Sequence, residues 1–123
     1  MYEYNATLSY WVDGDTCDVD IDLGFGVVLR EQRVRLQGIT VPDLRTKDEG
    51  EKRAAQLTLN YCKSRIPEGK KCIIKTKKEG KVKNGRILAE LFYSYKPNDS
   101  DTDVSWKSLN DTLLQEGHAV PYE

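Results

Sequence analysis

A strict two-residue alternation near the start of the chain most constrains its fold. Cys17, Val19, Ile21 and Leu23 are apolar, and an aspartate stands between each neighbouring pair. Successive side chains of a β-strand point to opposite faces, so this pattern predicts a strand with one buried and one solvated face. The segment is therefore expected to belong to a sheet that covers a hydrophobic core.

Other segments extend this sheet and add helices. Apolar alternation and turn residues predict further strands at 4–12, 27–36, 71–78 and 85–95. Helices are predicted at about 48–64 and 108–116, the second with Ser108 as N-cap and Gly117 just beyond its end. Five short strands with a helix after the third predict a mainly β fold, an OB-type five-stranded barrel with two to three helices. The expected barrel core comprises Val19, Ile21, Val34, Leu36, Ile74 and Leu88.

Length and charge limit the function classes. The 123 residues suit one domain over 1–123, which we expect to be monomeric. The formal net charge is -1, so any nucleic-acid contact must come from local clustering, such as the lysine-rich stretch 70–83. No apolar window reaches the length of a membrane span and no signal peptide is visible, which predicts a cytoplasmic protein.

The cysteines exclude a zinc site. Cys17, Cys62 and Cys72 are widely spaced without a paired motif, and His118 is the single histidine. They are predicted to be reduced, buried thiols.

Three polar segments carry candidate chemistry. Asp15, in the turn 13–16, shares parity with the inward residues of its strand, and an inward carboxylate favours a cation partner such as a hard divalent ion. Arg35 ends a strand and suits a phosphate, while Asp43 follows in a proline-shaped loop and suits a base acting on water. Arg86 follows the lysine-rich stretch. Taken singly, the first two segments favour an ordinary solvated turn and surface charges, whereas the lysines that lead into Arg86 favour a phosphate contact somewhat more than simple solubility.

Together these segments resemble the staphylococcal nuclease (thermonuclease) family, from Tyr10 to Tyr122. The resemblance is carried by residues 13–16, 35–36, 42–43, 85–89, 109–110 and 116–119.

The resemblance implies a role for each matching residue. A calcium ion and two arginines serve phosphodiester hydrolysis in that family. Asp15 matches a metal ligand, and Asp13 supports its turn. Arg35 and Arg86 match the phosphate clamps, and Asp43 stands at the general base.

The remaining site residues follow from the same resemblance. Thr40 and Val41 are expected to complete the metal site with Asp15. Lys83 matches a lysine on a terminal phosphate, and Asn84 and Tyr122 are expected to contact the nucleotide.

The sequence departs from the family pattern at three of these positions. Thr40 replaces a second carboxylate ligand, which should weaken calcium binding. Asp43 is one methylene shorter than the family glutamate, and a misplacement of about 1 Å can reduce the rate roughly a hundredfold. Asn84 replaces a tyrosine that would pack against the nucleotide.

Three functions are compatible with this pattern. The first is a metal-dependent nuclease that hydrolyses DNA or RNA, with single strands as the expected substrate. The second is an inactive module of the same family that binds nucleic acid or a protein. The third is a structural OB domain whose lysines only solvate an edge strand.

Overall fold

The computed structural model describes residues 2–76, 85–95 and 104–122. The predicted site residues Lys83 and Asn84, and the predicted polar loop 96–103, lie outside these ranges. The elements in chain order are β1 Tyr2–Asp13, β2 Thr16–Gly24, β3 Val27–Leu36, β4 Ile39–Thr40, α1 Glu49–Arg65, β5 Lys71–Thr76, β6 Ile87–Tyr95, β7 Ser105–Ser108, α2 Leu109–Gln115 and β8 Val120–Pro121.

Five strands close into a barrel. They are hydrogen-bonded in the order β3-β2-β1-β5-β6, and β3 pairs with β6 in parallel through Arg35 opposite Leu88 and one residue on either side. This ring confirms the predicted mainly β, OB-type fold. The sequence did not predict β4, β7 and β8, because strands of two to four residues show no readable alternation.

The barrel interior matches the predicted core at every position except one. Val19, Ile21, Val34, Leu36 and Ile74 are buried. Leu88 was predicted to be buried, and this was wrong, since it is 38% exposed. It pairs with Arg35 on the outer face, whereas its neighbour Ala89 is fully buried. Paired residues of adjacent strands point to the same side, so the polarity of Arg35 decides which way Leu88 points.

Both helices lie where the sequence predicted them, to within one residue. Asp48 caps α1 by accepting a hydrogen bond from the Gly50 N–H at 3.1 Å, and Ser108 caps α2 by accepting one from the Asp111 N–H at 3.2 Å. Gly117 follows α2 with φ 77, a left-handed conformation that glycine adopts without a Cβ penalty. Neither helix of the described residues is long and apolar enough to cross a membrane.

A buried asparagine joins α2 to the barrel. Leu91 lies in β6 between the segment that pairs with β3 and the segment that pairs with β7. Its N–H donates a hydrogen bond to Asn110 Oδ1 at 3.1 Å. The Asn110 Nδ2 donates to Gln37 O at 2.8 Å and to Ala89 O at 3.4 Å. The side chain thus satisfies backbone groups that a continuous strand would otherwise pair.

The cysteines are buried and free, as predicted. Cys17, Cys62 and Cys72 are at most 1% exposed. Burial raises the pKa of the Cys62 and Cys72 thiols to about 12, so both are protonated at neutral pH. All three therefore act as small apolar core residues.

The turn between β1 and β2 packs directly on α1. A Cβ added at Gly14 would lie 2.5 Å from Thr58 Cγ2, so only glycine fits this approach. The Cys62 thiol donates to Gly14 O at 3.5 Å, and Thr58 Oγ1 donates to His118 O at 3.2 Å. The helix therefore fixes the position of the turn that carries Asp15.

We expect Gly14→Ala to destabilise the protein by about 1–3 kcal/mol, because the new methyl overpacks a closed contact. Thr58→Ser removes the obstructing Cγ2 and keeps the hydroxyl. The double variant should therefore lose less stability than the sum of the two single changes. Urea denaturation of all four proteins measures this coupling. As a control, Gly50→Ala lies in open helix surface and should be neutral or slightly stabilising. Strict additivity would contradict the packing account.

Candidate functional site

The pairing of β2 with β3 brings Asp15 and Arg35 together. Thr16 is the cross-strand partner of Arg35, and the Leu36 N–H donates to Asp15 O at 2.8 Å. The Asp15 Oδ2 then lies 3.2 Å from Arg35 Nη1. The two side chains are only 14% and 18% exposed, so this ion pair is partly shielded from water.

Arg35 also holds the loop that follows β3. Its Nη1 donates to Leu36 O at 2.7 Å and to Ile39 O at 3.1 Å. The Tyr122 ring centroid lies 5.9 Å from the guanidinium carbon, and the Tyr122 N–H donates to Gly38 O at 3.0 Å. The Nε and Nη2 atoms of Arg35 make no hydrogen bond within the described residues, so the guanidinium retains donors for an anion.

The pKa of Asp15 is higher than that of an ordinary aspartate. Burial, followed by a hydrogen bond and repulsion from the Asp13 carboxylate, raises the pKa of Asp15 from 3.8 to about 6. Arg35 and the Thr16 hydroxyl, which donates to Asp15 Oδ1 at 3.0 Å, act in the opposite direction. Thr16 was not among the predicted site residues, since a threonine after an Asp-Gly turn gives no distinct sequence signal. Two adjacent carboxylates that repel each other would be relieved by a bound cation.

The parallel pairing of β3 with β6 places Arg86 two residues before Leu88, the cross-strand partner of Arg35. Arg86 immediately precedes Ile87, which pairs with Val34 of β3, and alternation places it on the outer face with Leu88 and Arg35. It is half-buried, and it makes no ion pair or hydrogen bond within the described residues. Within the described part of the chain, the Arg86 guanidinium therefore keeps its donors for an anion.

The Asp43 carboxylate contacts Arg45, a neighbour in its own loop. Its Oδ1 accepts a hydrogen bond from the Arg45 N–H at 2.9 Å and lies 3.6 Å from Arg45 Nε. The side chain is 59% exposed, and among the described residues no hydrogen bond or ion pair joins it to Asp15, Arg35 or Arg86. The structure therefore does not join this predicted base to the other site residues. An exposed ion pair of this kind is weak, so little energy holds the carboxylate in this orientation.

Thr40 and Val41 lie next to the Asp15 turn. Thr40 pairs with Val120 between β4 and β8, and Val41 Cγ2 lies 3.5 Å from the Cβ position of Gly14. Both line a cavity of about 280 Å³ with Glu51 and the segment 117–120. Glu51 was not predicted as a site residue, because a glutamate in the first turn of a helix is ordinary in sequence.

The donor chemistry permits a hard cation but supplies little charge. Within residues 2–76, 85–95 and 104–122, no group of three His, Cys, Asp or Glu side chains is arranged to hold a metal ion. The candidate oxygen donors are the carboxylates of Asp13 and Asp15 and the neutral oxygens of Thr40 and Val41. Such a set suits calcium, with low affinity expected from its few charges.

We expect Asp15→Asn to stabilise the metal-free protein at pH 8, because the buried carboxylate is disfavoured when ionised. The pKa of Asp15 is raised in the folded state, so protonation of Asp15 favours folding. This contribution to the free energy of unfolding is fully present below about pH 3.8 and is lost as pH rises through about 6. The stability difference between variant and wild type should therefore grow between pH 4 and pH 7. Urea midpoints in chelator across this range measure it. Parallel pH profiles for the two proteins would refute this assignment.

Comparison with known sequences identifies the family. The family model described as "Staphylococcal nuclease homologue" matches residues 33–123, well over half of the chain. The match begins in β3, so Asp15 precedes it and is linked to the matched part through the pairing with Arg35. The search of curated proteins returned no match. The chain belongs to the family of staphylococcal nuclease homologues.

Proposed function

We propose that this protein hydrolyses phosphodiester bonds of DNA or RNA with the help of a calcium ion. The observation that carries the proposal is the position of Arg35, which is anchored on Asp15 and two carbonyls yet keeps donors for an anion. Family membership supports the same reaction class.

The two arginines supply most of the proposed catalysis. Phosphodiester hydrolysis depends mainly on positioning and on neutralising the charge that develops on phosphate oxygens. Arg35 is held in place by its own hydrogen bonds, so it needs no reorganisation when substrate arrives. Arg86, on the neighbouring strand, donates to the same phosphate from a second direction.

A bound calcium ion would be held by Asp15 with oxygens of Thr40 and Val41, and it would supply additional positive charge at the phosphate. Asp13 orients this turn, since its Oδ1 accepts a hydrogen bond from the Asp15 N–H at 3.1 Å. Because Asp15 binds a proton with a pKa of about 6, metal binding and protonation compete at this residue.

Asp43 is the proposed general base, and the 5′ oxygen is the proposed leaving group. To act, Asp43 must leave Arg45 and turn toward the arginine pair, which the weak exposed contact permits. Lys83, Asn84 and Tyr122 are the proposed contacts to the rest of the nucleotide. Of these, Tyr122 already lies against Arg35.

We expect Arg35→Ala and Arg86→Ala to reduce cleavage of a labelled single-stranded oligonucleotide by about 100-fold or more, as is typical when one stabilising donor is lost. The matched control is Arg33→Ala. Arg33 lies on the same face of β3, two residues before Arg35, but is exposed and paired with Asp18 at 2.9 Å. That control should change the rate by less than about threefold. Equal losses in all three variants would show that general surface charge, not an arginine pair, drives the activity.

We expect reversal of the two family departures to raise activity. Thr40→Asp adds an anionic ligand and should lower the calcium concentration at half-maximal rate. Asp43→Glu lengthens the base and should mainly raise the rate at saturating calcium. Their effects should be non-additive, since both act on one ion and its bound water.

Cleavage is measured across a calcium titration for the wild type, the two single variants and the double variant. Glu51→Gln serves as a second carboxylate change, because Glu51 lines the neighbouring cavity. If Glu51→Gln abolishes cleavage and Asp43→Asn does not, the base is Glu51. If every protein is inactive while the wild type binds the oligonucleotide in a salt-dependent way, the chain is an inactive binding module.

A further inference from the structure

A tyrosine-lined groove shares no lining residue with the arginine pair, Arg35 and Arg86. It has a volume of about 340 Å³ and is formed by the end of α1, by β6 and β7, and by α2. Tyr61 and Arg65 come from α1, Tyr93 and Tyr95 from β6, and Lys107 from β7. None of these residues was assigned a role from the sequence.

Two of its aromatic rings carry a cation. The Arg65 guanidinium carbon lies 4.9 Å from the Tyr61 ring centroid, and the Lys107 Nζ lies 3.9 Å from the Tyr95 ring centroid. Arg65 and Lys107 are exposed, and Tyr95 is 37% exposed. Aromatic faces and guanidinium planes bind unstacked bases. Each cation lies over a ring face, so a base that stacks on the ring displaces it, and the displaced cation stays close enough to meet the following phosphate.

The remaining part of the lining can contact base edges. Tyr93 is nearly buried, and its hydroxyl lies 3.3 Å from Thr112 Oγ1. Asp111, Gln115 and Glu116 of the α2 segment complete this side. Carboxylates repel phosphates but accept hydrogen bonds from the amino groups of bases. The groove thus offers cations to the backbone and acceptors to base edges, with Glu116 close enough to Arg65 to interact with it electrostatically.

The groove adjoins the candidate site. The Tyr61 ring centroid lies 4.7 Å from that of His118. His118 in turn lines the cavity of about 280 Å³ that holds Thr40 and Val41. One pair of stacked rings therefore separates the groove from the residues proposed to hold calcium, so a single ligand could occupy both.

We propose that this groove binds several nucleotides of a single-stranded nucleic acid whose reacting phosphate lies at Arg35 and Arg86. The identity of that strand as substrate rests on the proposed function. Duplex is excluded from this mode, because its bases are stacked on each other and do not expose their faces to tyrosines. The acceptor groups of the groove favour bases with amino groups over thymine and uracil.

The test measures binding without cleavage. Fluorescein-labelled oligonucleotides of about 3 and about 12 nucleotides are titrated with protein in chelator, and anisotropy reports the affinity. Tyr95→Ala should weaken the long strand about fivefold or more, the loss typical of one stacked base, and leave the short strand unchanged. Lys107→Glu should weaken the long strand and reduce the salt slope. The matched control is Trp106→Ala, which removes an aromatic side chain that is 44% exposed on the same strand but does not line the groove.

The outcomes separate this inference from the nuclease proposal. Unchanged affinity for the long strand in both Tyr95→Ala and Lys107→Glu would overturn the groove, as would an equal loss for both strand lengths or in Trp106→Ala. An equal loss for a duplex of the same length would overturn the preference for single strands. If no substrate is cleaved but the length-dependent loss occurs, the nuclease proposal fails and the groove stands. If Arg86-dependent cleavage occurs and the groove variants bind like wild type, only the groove fails.

Discussion

The guanidinium of Arg35 connects the backbone segments that meet at the mouth of the barrel. One nitrogen contacts the Asp15 carboxylate, the end of β3 and the start of β4. These contacts hold the glycine turn before β2, which packs against α1, and the start of β4, which pairs with β8. Because these contacts use only part of the guanidinium, the same group that organises the mouth can also receive an anion.

This arrangement carries an electrostatic conflict. Burial of Asp15, with a smaller contribution from the neighbouring Asp13, raises the pKa of Asp15 to about 6, even though Arg35 contacts Asp15 directly. Asp13 stabilises the turn by accepting a hydrogen bond from the Asp15 N–H, but its charge opposes ionisation of the partly buried Asp15. Perturbed carboxylates of this kind are common where a cation or a reacting group is bound. The same repulsion that destabilises the metal-free protein would therefore contribute to cation binding.

The sequence predicted the elements that depend on local pattern. The alternation in β2 gave the correct face for Cys17, Val19 and Ile21, but Leu23, at the end of the strand, is 42% exposed. Capping residues predicted both helices. Leu88 was assigned wrongly because Ile87, Leu88 and Ala89 form an uninterrupted apolar run, whose facing is set only by pairing with β3. The orientation of Asp43 toward Arg45 could not be predicted for a similar reason, since a loop side chain takes the partner that the folded backbone offers. The tyrosine groove combines residues up to 55 positions apart on four elements, and no local pattern reports such a set.

Binding in the proposed groove would compensate for the departures from the family pattern at the proposed site. The proposed site, with Thr40 in place of a carboxylate and Asn84 in place of a tyrosine of the family pattern, would make few interactions with the reacting nucleotide. Binding energy from remote parts of a substrate can compensate, because it positions the reacting group without contacting it. Tyr61, Tyr95 and their paired cations are placed to supply such remote binding. Under this scheme, affinity for the substrate would depend more on the length of the strand than on the identity of the reacting nucleotide. The proposed arginine pair would still act on the reacting phosphate.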